Sequence, residues 1–233
     1  MNQITIATYN ICHGRYAALD WSRLAAVIRE SGADLVGLQE IDEGTQRIGG
    51  QDSLEALRKA LGFADSLFVP AMDYDGGQYG TAILSRFPMK DSRTVRLSSA
   101  SYEPRSFGCV TVQLPDSSPM ILLNTHLSYE SHEQQTVQAE EIRRWVDKNL
   151  SRSVPTLLTG DFNTDDLRIL SPVLEAGFIP VNTPRAPFLT FRPDPIAIDN
   201  ILYRGPALIP EAAGMIDSDA SDHNLLWCRF RVN

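Results

Sequence analysis

The sequence has no long apolar run, no dense block of basic residues and only three cysteines among its 233 residues. Residues 1–7 lack the basic start and apolar stretch of a secretion signal, and no later run reaches the ~20 apolar residues of a membrane-spanning helix. Cys12, Cys109 and Cys228 are odd in number and lack metal-ligand spacing, so we expect reduced, buried thiols rather than a disulfide framework. These features predict a cytoplasmic protein without integral membrane association.

Positive charge is also in short supply. The 29 acidic residues outnumber the 21 basic ones, which gives a formal net charge of −8. Proteins that hold long nucleic acids gain much of their affinity from many Lys and Arg contacts to phosphates. The composition therefore disfavours extended, nonspecific DNA binding, although a single phosphate could still be the target.

What is present is the composition of an ordinary globular domain, with 43% apolar and 21% charged residues. Apolar spacing predicts helices between Asp20 and Gly32, before Gly62, over 133–149 and over 165–176. Strand-like runs occupy residues 4–9, 35–38, 81–84, 109–114, 120–123, 156–159, 201–203 and 225–230. Several of these runs follow one another without a helix, so we expect a mixed, largely antiparallel α/β sandwich. We assign one domain to residues 1–233, with a turn at 76–80 and a long surface loop at 183–195.

Polar side chains flank the apolar runs where the predicted strands end. The flanking residues are Asn10, Glu40, Asn124, His126, Asp161, Asn163, Asp199, Asp222 and His223. If the strands pack in two sheets, one rim carries acids, amides and two histidines together.

This set of residues suits the cleavage of a phosphodiester. Mg²⁺ prefers carboxylate and water oxygens, and Glu40 is the natural first ligand, with Asn10 beside it. Hydrolysis then requires an activated in-line water and stabilisation of charge on the phosphoryl oxygens.

The remaining residues have predicted roles in that chemistry. Asp161 would orient or deprotonate the water, and Asn163 would donate to the phosphate. His223, steadied by Asp199, would contact the scissile phosphate or shuttle a proton, and His126 would be a second phosphate contact or acid.

Seven short motifs in this order resemble those of the endonuclease/exonuclease/phosphatase superfamily, the metal-dependent group that includes deoxyribonuclease I, apurinic endonucleases and neutral sphingomyelinases. The motifs are TYNI at 8–11, LQE at 38–40, GTAILSR at 80–86, NTHL at 124–127, GDFN at 160–163, IDNIL at 198–202 and SDH at 221–223. The resemblance implies a four-layer α/β sandwich of two mixed, mostly antiparallel sheets flanked by helices. One departure is Asn200, where many members carry Tyr.

The resemblance also implies roles for individual residues. Glu40 matches the metal-binding glutamate and Asn10 the asparagine of the metal shell, while Asp222 matches a residue at or near the metal. The pair Asp161 and Asn163 matches the residues that orient the water and stabilise the transition state. The resemblance further implies that Asp199 holds a catalytic His223, and that Mg²⁺ or Mn²⁺ is the cofactor.

Other segments resemble a compact bacterial subgroup of metal-dependent hydrolases, which leaves the substrate open. Arg47, Tyr79 and Arg105 are our candidates for substrate contacts, because Arg and Tyr on loops can bind phosphate and a neighbouring ring. Asn124 is a further candidate. A packing or surface-pair role is the alternative for Tyr79 and Arg105, and we interpret His13 and His132 as structural.

The sequence therefore predicts a Mg²⁺- or Mn²⁺-dependent phosphoesterase, and within that class a phosphodiesterase that uses direct attack by water. Its phosphate-ester substrate could be a nucleic acid end or lesion, or a small organic phosphodiester. One alternative is a catalytically inactive phosphate- or nucleotide-binding module on the same fold. Another is a hydrolase of phospholipid headgroups, although no apolar hairpin or basic amphipathic stretch indicates membrane docking.

Overall fold

The structure is a computed structural model that describes residues 3–233. Met1 and Asn2, which belong to the predicted domain and to the segment tested for a secretion signal, lie outside the described residues. Within residues 3–233, no helix has the length and apolar character needed to cross a membrane.

Residues 3–233 form twelve β-strands and four α-helices. The strands are β1 (Gln3–Asn10), β2 (Leu35–Glu43), β3 (Asp65–Tyr74), β4 (Gly77–Ser85), β5 (Met89–Leu97), β6 (Arg105–Gln113), β7 (Pro119–His126), β8 (Thr156–Asp161), β9 (Ile179–Pro180), β10 (Asp199–Arg204), β11 (Leu208–Ile216) and β12 (Leu225–Val232). The helices are α1 (Trp21–Glu30), α2 (Ser53–Leu61), α3 (His132–Asn149) and α4 (Ser171–Glu175), and short 3-10 turns cover Cys12–Gly14 and Gln46–Ile48.

The strands form two six-stranded sheets of mixed direction. One sheet has the order β11-β12-β1-β2-β4-β3 and the other has the order β5-β6-β7-β8-β10-β9. Each sheet contains one parallel pair at its centre, β1 with β2 and β7 with β8, and its other neighbouring strands are antiparallel. The parallel pairs matter for function because the carboxyl ends of both strands in a pair meet at the same edge.

The two sheets pack face to face with helices outside. Between the sheets, Ile4, Ile6 and Leu35 of the first pack in one apolar cluster with Val110, Leu122 and Leu157 of the second. A second cluster joins α1 and α2 to the outer face of the first sheet, and a third joins α3 and α4 to the outer face of the second. This is the predicted four-layer α/β sandwich.

The helix caps follow the sequence signals. The Asp20 side chain accepts hydrogen bonds from the backbone N–H groups of Ser22 and Arg23, and Gly62, with φ +69°, caps the C-terminal end of α2. The predicted helix over 165–176 is wrong in its first half, because residues 167–170 form turns and α4 begins only at Ser171. Pro172 lies in the first turn of α4, where its missing N–H leaves no helical hydrogen bond unmade.

All eight predicted strand runs lie within or overlap observed strands. The structure adds β3, β5, β9 and β11, which are the four outer strands of the two sheets. Five consecutive residues of β5 are exposed, so this strand has no apolar alternation that a sequence could reveal. The turn predicted at 76–80 is shorter than expected, because β4 already begins at Gly77.

Candidate active site

The carboxyl ends of the two parallel strand pairs meet across the sandwich. Asn10 ends β1, while His126 and Asp161 end β7 and β8 and lie opposite each other in the register. Nδ2 of Asn10 donates to Oε1 of Glu40 at 3.1 Å and to Oδ2 of Asp161 at 3.0 Å. One buried amide therefore joins the acids of the two sheets, and the predicted grouping of these residues at one rim is observed.

Glu40 reaches the site because β2 is irregular there. The register with β4 shifts between Gln39 and Ile41, and Glu40 has φ +56°. Such a bulge adds one residue to a strand and redirects its side chain, a device that is frequent beside active sites. The Glu40 carboxylate consequently lies in the pocket instead of between the sheets.

Asp161 is the most crowded group of the site. Its Oδ2 lies 3.5 Å from Nε2 of His126 and 3.6 Å from Nε2 of His223, and its Oδ1 accepts the backbone N–H of Asn163 at 2.9 Å. Burial and the neighbouring Asp199 carboxylate raise the pKa of Asp161 well above its usual range. A carboxylate with a raised pKa is suited to accept a proton near neutral pH.

His223 is held by a carboxylate on its far side. Its Nδ1 lies 2.8 Å from Oδ2 of Asp199, and the Phe191 ring lies 5.0 Å from the imidazole centroid. Because a carboxylate can only accept, Nδ1 carries the proton and Nε2 faces Asp161. Burial acts to lower the pKa of His223, but the charges of Asp199 and Asp161 outweigh it and raise the pKa to about 10.

His126 has a different environment. Nη1 of Arg105 lies 3.1 Å from Nδ1 of His126 and 2.9 Å from Oε1 of Glu103. Because a guanidinium can only donate, Nδ1 of His126 is an acceptor and the proton of the neutral ring lies on Nε2, which faces Asp161. Burial and the Arg105 charge hold the pKa of His126 well below its usual range. The two histidines thus present a neutral and a cationic ring to one carboxylate.

Asn163 lies beside Asp161 in a left-handed conformation, with φ +52°. Its Nδ2 donates to the Leu127 carbonyl at 2.9 Å, and its own carbonyl accepts from Nε2 of Gln135 at 2.9 Å. These bonds fix the carboxamide at the pocket wall, with one N–H of Nδ2 still available to a ligand.

A cavity of about 460 Å³ opens over these groups. It is lined by nine predicted site residues, Glu40, Arg47, Tyr79, Arg105, His126, Asp161, Asn163, Asp222 and His223, and also by Met72, Tyr74, Glu103, Tyr129, Phe191, Ile196 and Ile198. The predicted residues Asn10 and Asp199 lie behind this wall and contact the residues that line it. Phe191 and Ile196 come from the 183–195 loop and its end, a region whose length indicated a functional role.

Two of the predicted substrate contacts are already occupied by protein partners. Nε and Nη2 of Arg47 donate to the buried Asp42 carboxylate at 2.5 and 2.8 Å, and its guanidinium lies 4.5 Å from the Tyr74 ring centroid and 5.5 Å from that of Tyr79. Arg105 is only 3% exposed and contacts His126 and Glu103 as described above. Both arginines line the cavity, but each is paired with a carboxylate.

Asn124 does not reach the cavity, so its prediction as a substrate contact is wrong. The side chain is fully buried between the sheets. Its Nδ2 donates to the carbonyls of Leu38 and Ala82, and its Oδ1 accepts from Gln39 and Thr159. All its hydrogen-bonding capacity is used there, which leaves none for a ligand.

His13, which we interpreted as structural, lies next to Glu40. Its Nδ1 is 3.5 Å from Oε2 of Glu40. Its one sequence signal is its position three residues after Asn10. A turn is needed to bring the two side chains together, and nothing in the apolar pattern indicates one.

The residues around Glu40 fit a hard divalent cation. Burial acts to raise the pKa of Glu40, but the contacts with His13 and Asn10 help to outweigh it, and the pKa falls to about 2. Asp222 lines the same cavity. A carboxylate that stays ionised, with a second one nearby and open space for water and phosphate oxygens, is the donor set that Mg²⁺ or Mn²⁺ uses. Glu40 and Asp222 are the side chains that would hold it, with Asn10 fixing Glu40.

A model of the Endonuclease/Exonuclease/phosphatase family matches residues 7–223. No curated protein matches the sequence.

Solved structures share the fold. An endonuclease/exonuclease/phosphatase from Beutenbergia cavernae superimposes with a TM-score of 0.83 at 25% identity, over 100% of this chain and 72% of that one. A mannosyl-6-phosphatase from Bacteroides thetaiotaomicron gives 0.73 at 19% identity, over 97% and 99% of the two chains. TDP2 from D. rerio, complexed with single strand DNA product, gives 0.76 at 17% identity, over 99% of each chain.

Proposed function

The chain belongs to the Endonuclease/Exonuclease/phosphatase family, and from that premise we propose that it hydrolyses a P–O bond of a phosphodiester by direct in-line attack of water, in a reaction that depends on Mg²⁺ or Mn²⁺. The observation that carries the proposal is the position of Asp161. Its carboxylate lies at the cavity wall, hydrogen-bonded by Asn10 and faced by the Nε2 atoms of His126 and His223. This arrangement combines a proton acceptor and two donors for a phosphate.

The side-chain contacts suggest a role for each residue. Glu40 and Asp222 would hold a divalent ion, which would supply Lewis-acid stabilisation of the charge that develops on the phosphoryl group. Asp161 orients the water and accepts its proton, for which its raised pKa is suited. Asn10 holds Glu40 and Asp161 at a fixed separation, so that the two acids need not rearrange during the reaction.

The phosphate is bound by the donors around Asp161. His223, kept cationic by Asp199, offers Nε2–H to a phosphoryl oxygen, and neutral His126 offers a second Nε2–H. Asn163 adds a carboxamide N–H fixed by Leu127. Donors that are already in place when negative charge grows on the phosphorus oxygens are the main source of catalysis in phosphoryl transfer.

The charge of the cavity favours a small substrate. Among the described residues, the arginines that line it are Arg47 and Arg105, and each is paired with a carboxylate, Asp42 or Glu103. A polynucleotide track needs several cations that are available to successive phosphates. We therefore propose a small organic phosphodiester first and a nucleic acid end or lesion second. Tyr79, Phe191 and Ile196 supply an apolar wall for the organic group.

The decisive experiment is hydrolysis of bis(p-nitrophenyl) phosphate by purified protein with Mg²⁺, with Mn²⁺ and with EDTA. We expect turnover with either metal and none with EDTA, and a loss of at least about 100-fold in Asp161→Ala and His223→Ala. Asp165→Ala, just outside the site, is the matched control and should retain activity. No metal-dependent turnover, combined with phosphate binding, would favour the inactive binding module instead.

Further experiments address the wider proposals. A metal-supplemented panel of abasic and nicked DNA, RNA, dinucleotides, sugar phosphates and phospholipid headgroups would identify the substrate class. We also propose that residues 1–233 act as one domain, which a single cooperative unfolding transition would support. A cytoplasmic location remains a proposal that cell fractionation tests.

A further inference from the structure

A cluster of three potential metal ligands lies on the Asn10 side of the site. A ring nitrogen of His13, Sγ of Cys12 and a carboxylate oxygen of Glu40 all lie within 4.8 Å of one another. Cys12 has no role in the proposed hydrolysis, and His13 enters it only through its contact with Glu40. The thiol is buried, and the His13 side chain is 18% exposed, so that the cluster can be reached from solvent.

The backbone is forced into an unusual shape to build this cluster. Cys12 and His13 both have φ +44°, Gly14 follows with φ +78°, and Glu40 itself has φ +56°. Residues other than glycine rarely adopt this conformation, because the Cβ atom approaches the backbone too closely. Asn10 helps to hold the turn, because its Oδ1 accepts the backbone N–H of Cys12 at 3.0 Å. Strain that converges on one set of side chains is typical of binding and catalytic sites.

The contact between His13 and Glu40 is not a normal hydrogen bond. Nδ1 of His13 is buried and makes no hydrogen bond within residues 3–233, and the 3.5 Å to Oε2 of Glu40 exceeds the 2.7–3.2 Å usual for a nitrogen donor. Two ligands of one tetrahedral ion, each about 2.0–2.2 Å from the metal, lie roughly 3.3–3.5 Å apart. The His13–Glu40 separation is thus closer to that of two ligands sharing an ion than to that of a hydrogen-bonded pair.

The ligand types indicate which ion. Imidazole and thiolate favour borderline ions such as Zn²⁺ and Co²⁺, whereas Mg²⁺ prefers oxygen. The other mixed cluster among residues 3–233, formed by Asp161, Asp199 and His223, is less suited, because Nδ1 of His223 is already bonded to Asp199 at 2.8 Å.

We propose that Cys12, His13 and Glu40 form a site for a borderline divalent ion of the Zn²⁺ type, in which Nδ1 of His13 and the Cys12 thiolate are ligands next to the Glu40 carboxylate. On binding, the Cys12 thiol loses its proton to solvent. Because Glu40 is also the proposed ligand of Mg²⁺ or Mn²⁺, the two kinds of ion compete for it. Zn²⁺ should therefore displace the activating ion and inhibit hydrolysis. The metal-binding inference stands on the cluster geometry, whereas the inhibition rests on the proposed function.

Cobalt titration of the metal-free protein tests the site without any need for activity. We expect one Co²⁺ to bind with a thiolate-to-cobalt absorption band, and Zn²⁺ to remove that band by displacement. Cys12→Ser and Cys12→Ala should lose the band, and His13→Gln should weaken Co²⁺ binding by at least about 10-fold. Cys109→Ala and His132→Gln, which change the same residue types elsewhere, should bind Co²⁺ like the unmodified protein.

The outcomes separate this inference from the proposed activity. Absence of the band in the unmodified protein, or an unchanged band in both Cys12 variants, would overturn the site. The far-UV circular dichroism and thermal midpoint of each variant show whether it is folded, and Cys12→Ser preserves the size of the side chain. A protein that gives the cobalt band but no phosphodiester turnover would support the site and refute the activity. Phosphodiester turnover without the cobalt band would support the activity and refute the metal site.

Discussion

Nδ1 of His223 lies 2.8 Å from Oδ2 of Asp199, and both side chains are buried. Asp199 is the first residue of β10 and lies opposite Asp161 of β8 in the sheet register. The hydrogen bond fixes the His223 ring so that Nε2 faces Asp161, and the Asp199 charge keeps the ring cationic. The pairing of β8 with β10 therefore sets both the orientation and the charge of His223, the side chain proposed to bind the phosphate.

Replacing Asp199 by asparagine should therefore impair turnover more than binding. The carboxamide would keep the shape of the side chain but lose the charge that raises the pKa of His223, so the cationic form of the ring becomes less populated at neutral pH. We expect kcat on bis(p-nitrophenyl) phosphate to fall by about 10²- to 10⁴-fold with little change in KM. Asp194→Asn, in the exposed loop, is the control. An Asp199→Asn enzyme with normal kcat would remove His223 from the mechanism.

A second carboxyl relationship concerns stability. Oε1 of Glu43 accepts the backbone N–H of Leu54 at 2.9 Å, next to Asp52, which caps α2. Burial, and then the Asp52 carboxyl, raise the pKa of Glu43 to about 8 from its ordinary 4.5. The folded state thus binds this proton more tightly than the unfolded state. The contribution to stability is complete below about pH 4.5 and is lost as the pH rises towards 8.

Glu43→Gln should remove the loss of stability at rising pH, since glutamine resembles the protonated acid at every pH. We expect the thermal midpoint of the variant, relative to the unmodified protein, to rise between about pH 5 and about pH 9. Differential scanning calorimetry across this range measures the effect. Glu30→Gln, at the exposed end of α1, should show no such trend. A Glu43→Gln difference that is flat with pH would contradict the raised pKa.

The sequence predicted the central part of the fold and missed its edges for one physical reason. Strands such as β1 and β8 are covered on both faces and read as apolar runs, whereas β5 and β11 lie at sheet edges and expose much of their length. An exposed strand needs no apolar alternation. It is stabilised by backbone pairing with its neighbour, which leaves little trace in composition.

The candidate site also contains some residues that the sequence could predict and others that it could not. The acids and histidines at strand ends could be predicted, because ionisable residues at the ends of buried runs have few structural uses. The environment of His13 could not be predicted, since it depends on a left-handed turn. The prediction for Asn124 failed because residues 124 and 126 lie on the same face of β7, and two residues of a strand, about 6.6 Å, separate the sheet interior from the cavity.

The pair Arg47 and Asp42 provides a third prediction. Asp42 has no exposed side-chain surface, while Arg47 is 29% exposed and donates two hydrogen bonds to it. Arg47→Ala would leave a buried carboxylate whose only side-chain partner among residues 3–233 is the Thr45 hydroxyl. We expect a loss of about 2–4 kcal/mol in urea unfolding. Asp42→Asn combined with Arg47→Ala should recover part of it.

The same variants test whether Arg47 also contacts substrate. In the double variant the buried charge is gone, so the change in KM reports on the cavity and not on the fold. A raised KM with normal kcat would support substrate contact through the free edge of the guanidinium. An unchanged KM would leave Arg47 with a purely structural role.

Gly37 provides the last prediction, because it determines how closely the two sheets approach beneath the site. A Cβ at this position would lie 2.1 Å from Oγ1 of Thr159 and 2.4 Å from Oδ1 of Asn124, both on the facing sheet. These atoms hydrogen-bond to each other at 3.0 Å in the buried polar junction that also includes Gln39, one residue before Glu40.

Gly37→Ala should therefore separate the sheets locally and disrupt those bonds, at a cost of about 1–3 kcal/mol in chemical unfolding. Gly44→Ala is the contrasting control. Gly44 has φ +70°, but a Cβ added there would meet no atom of residues 3–233 within 4 Å, so the variant should lose only about 1 kcal/mol through its backbone conformation. Equal losses in the two variants would show that space between the sheets is not limiting.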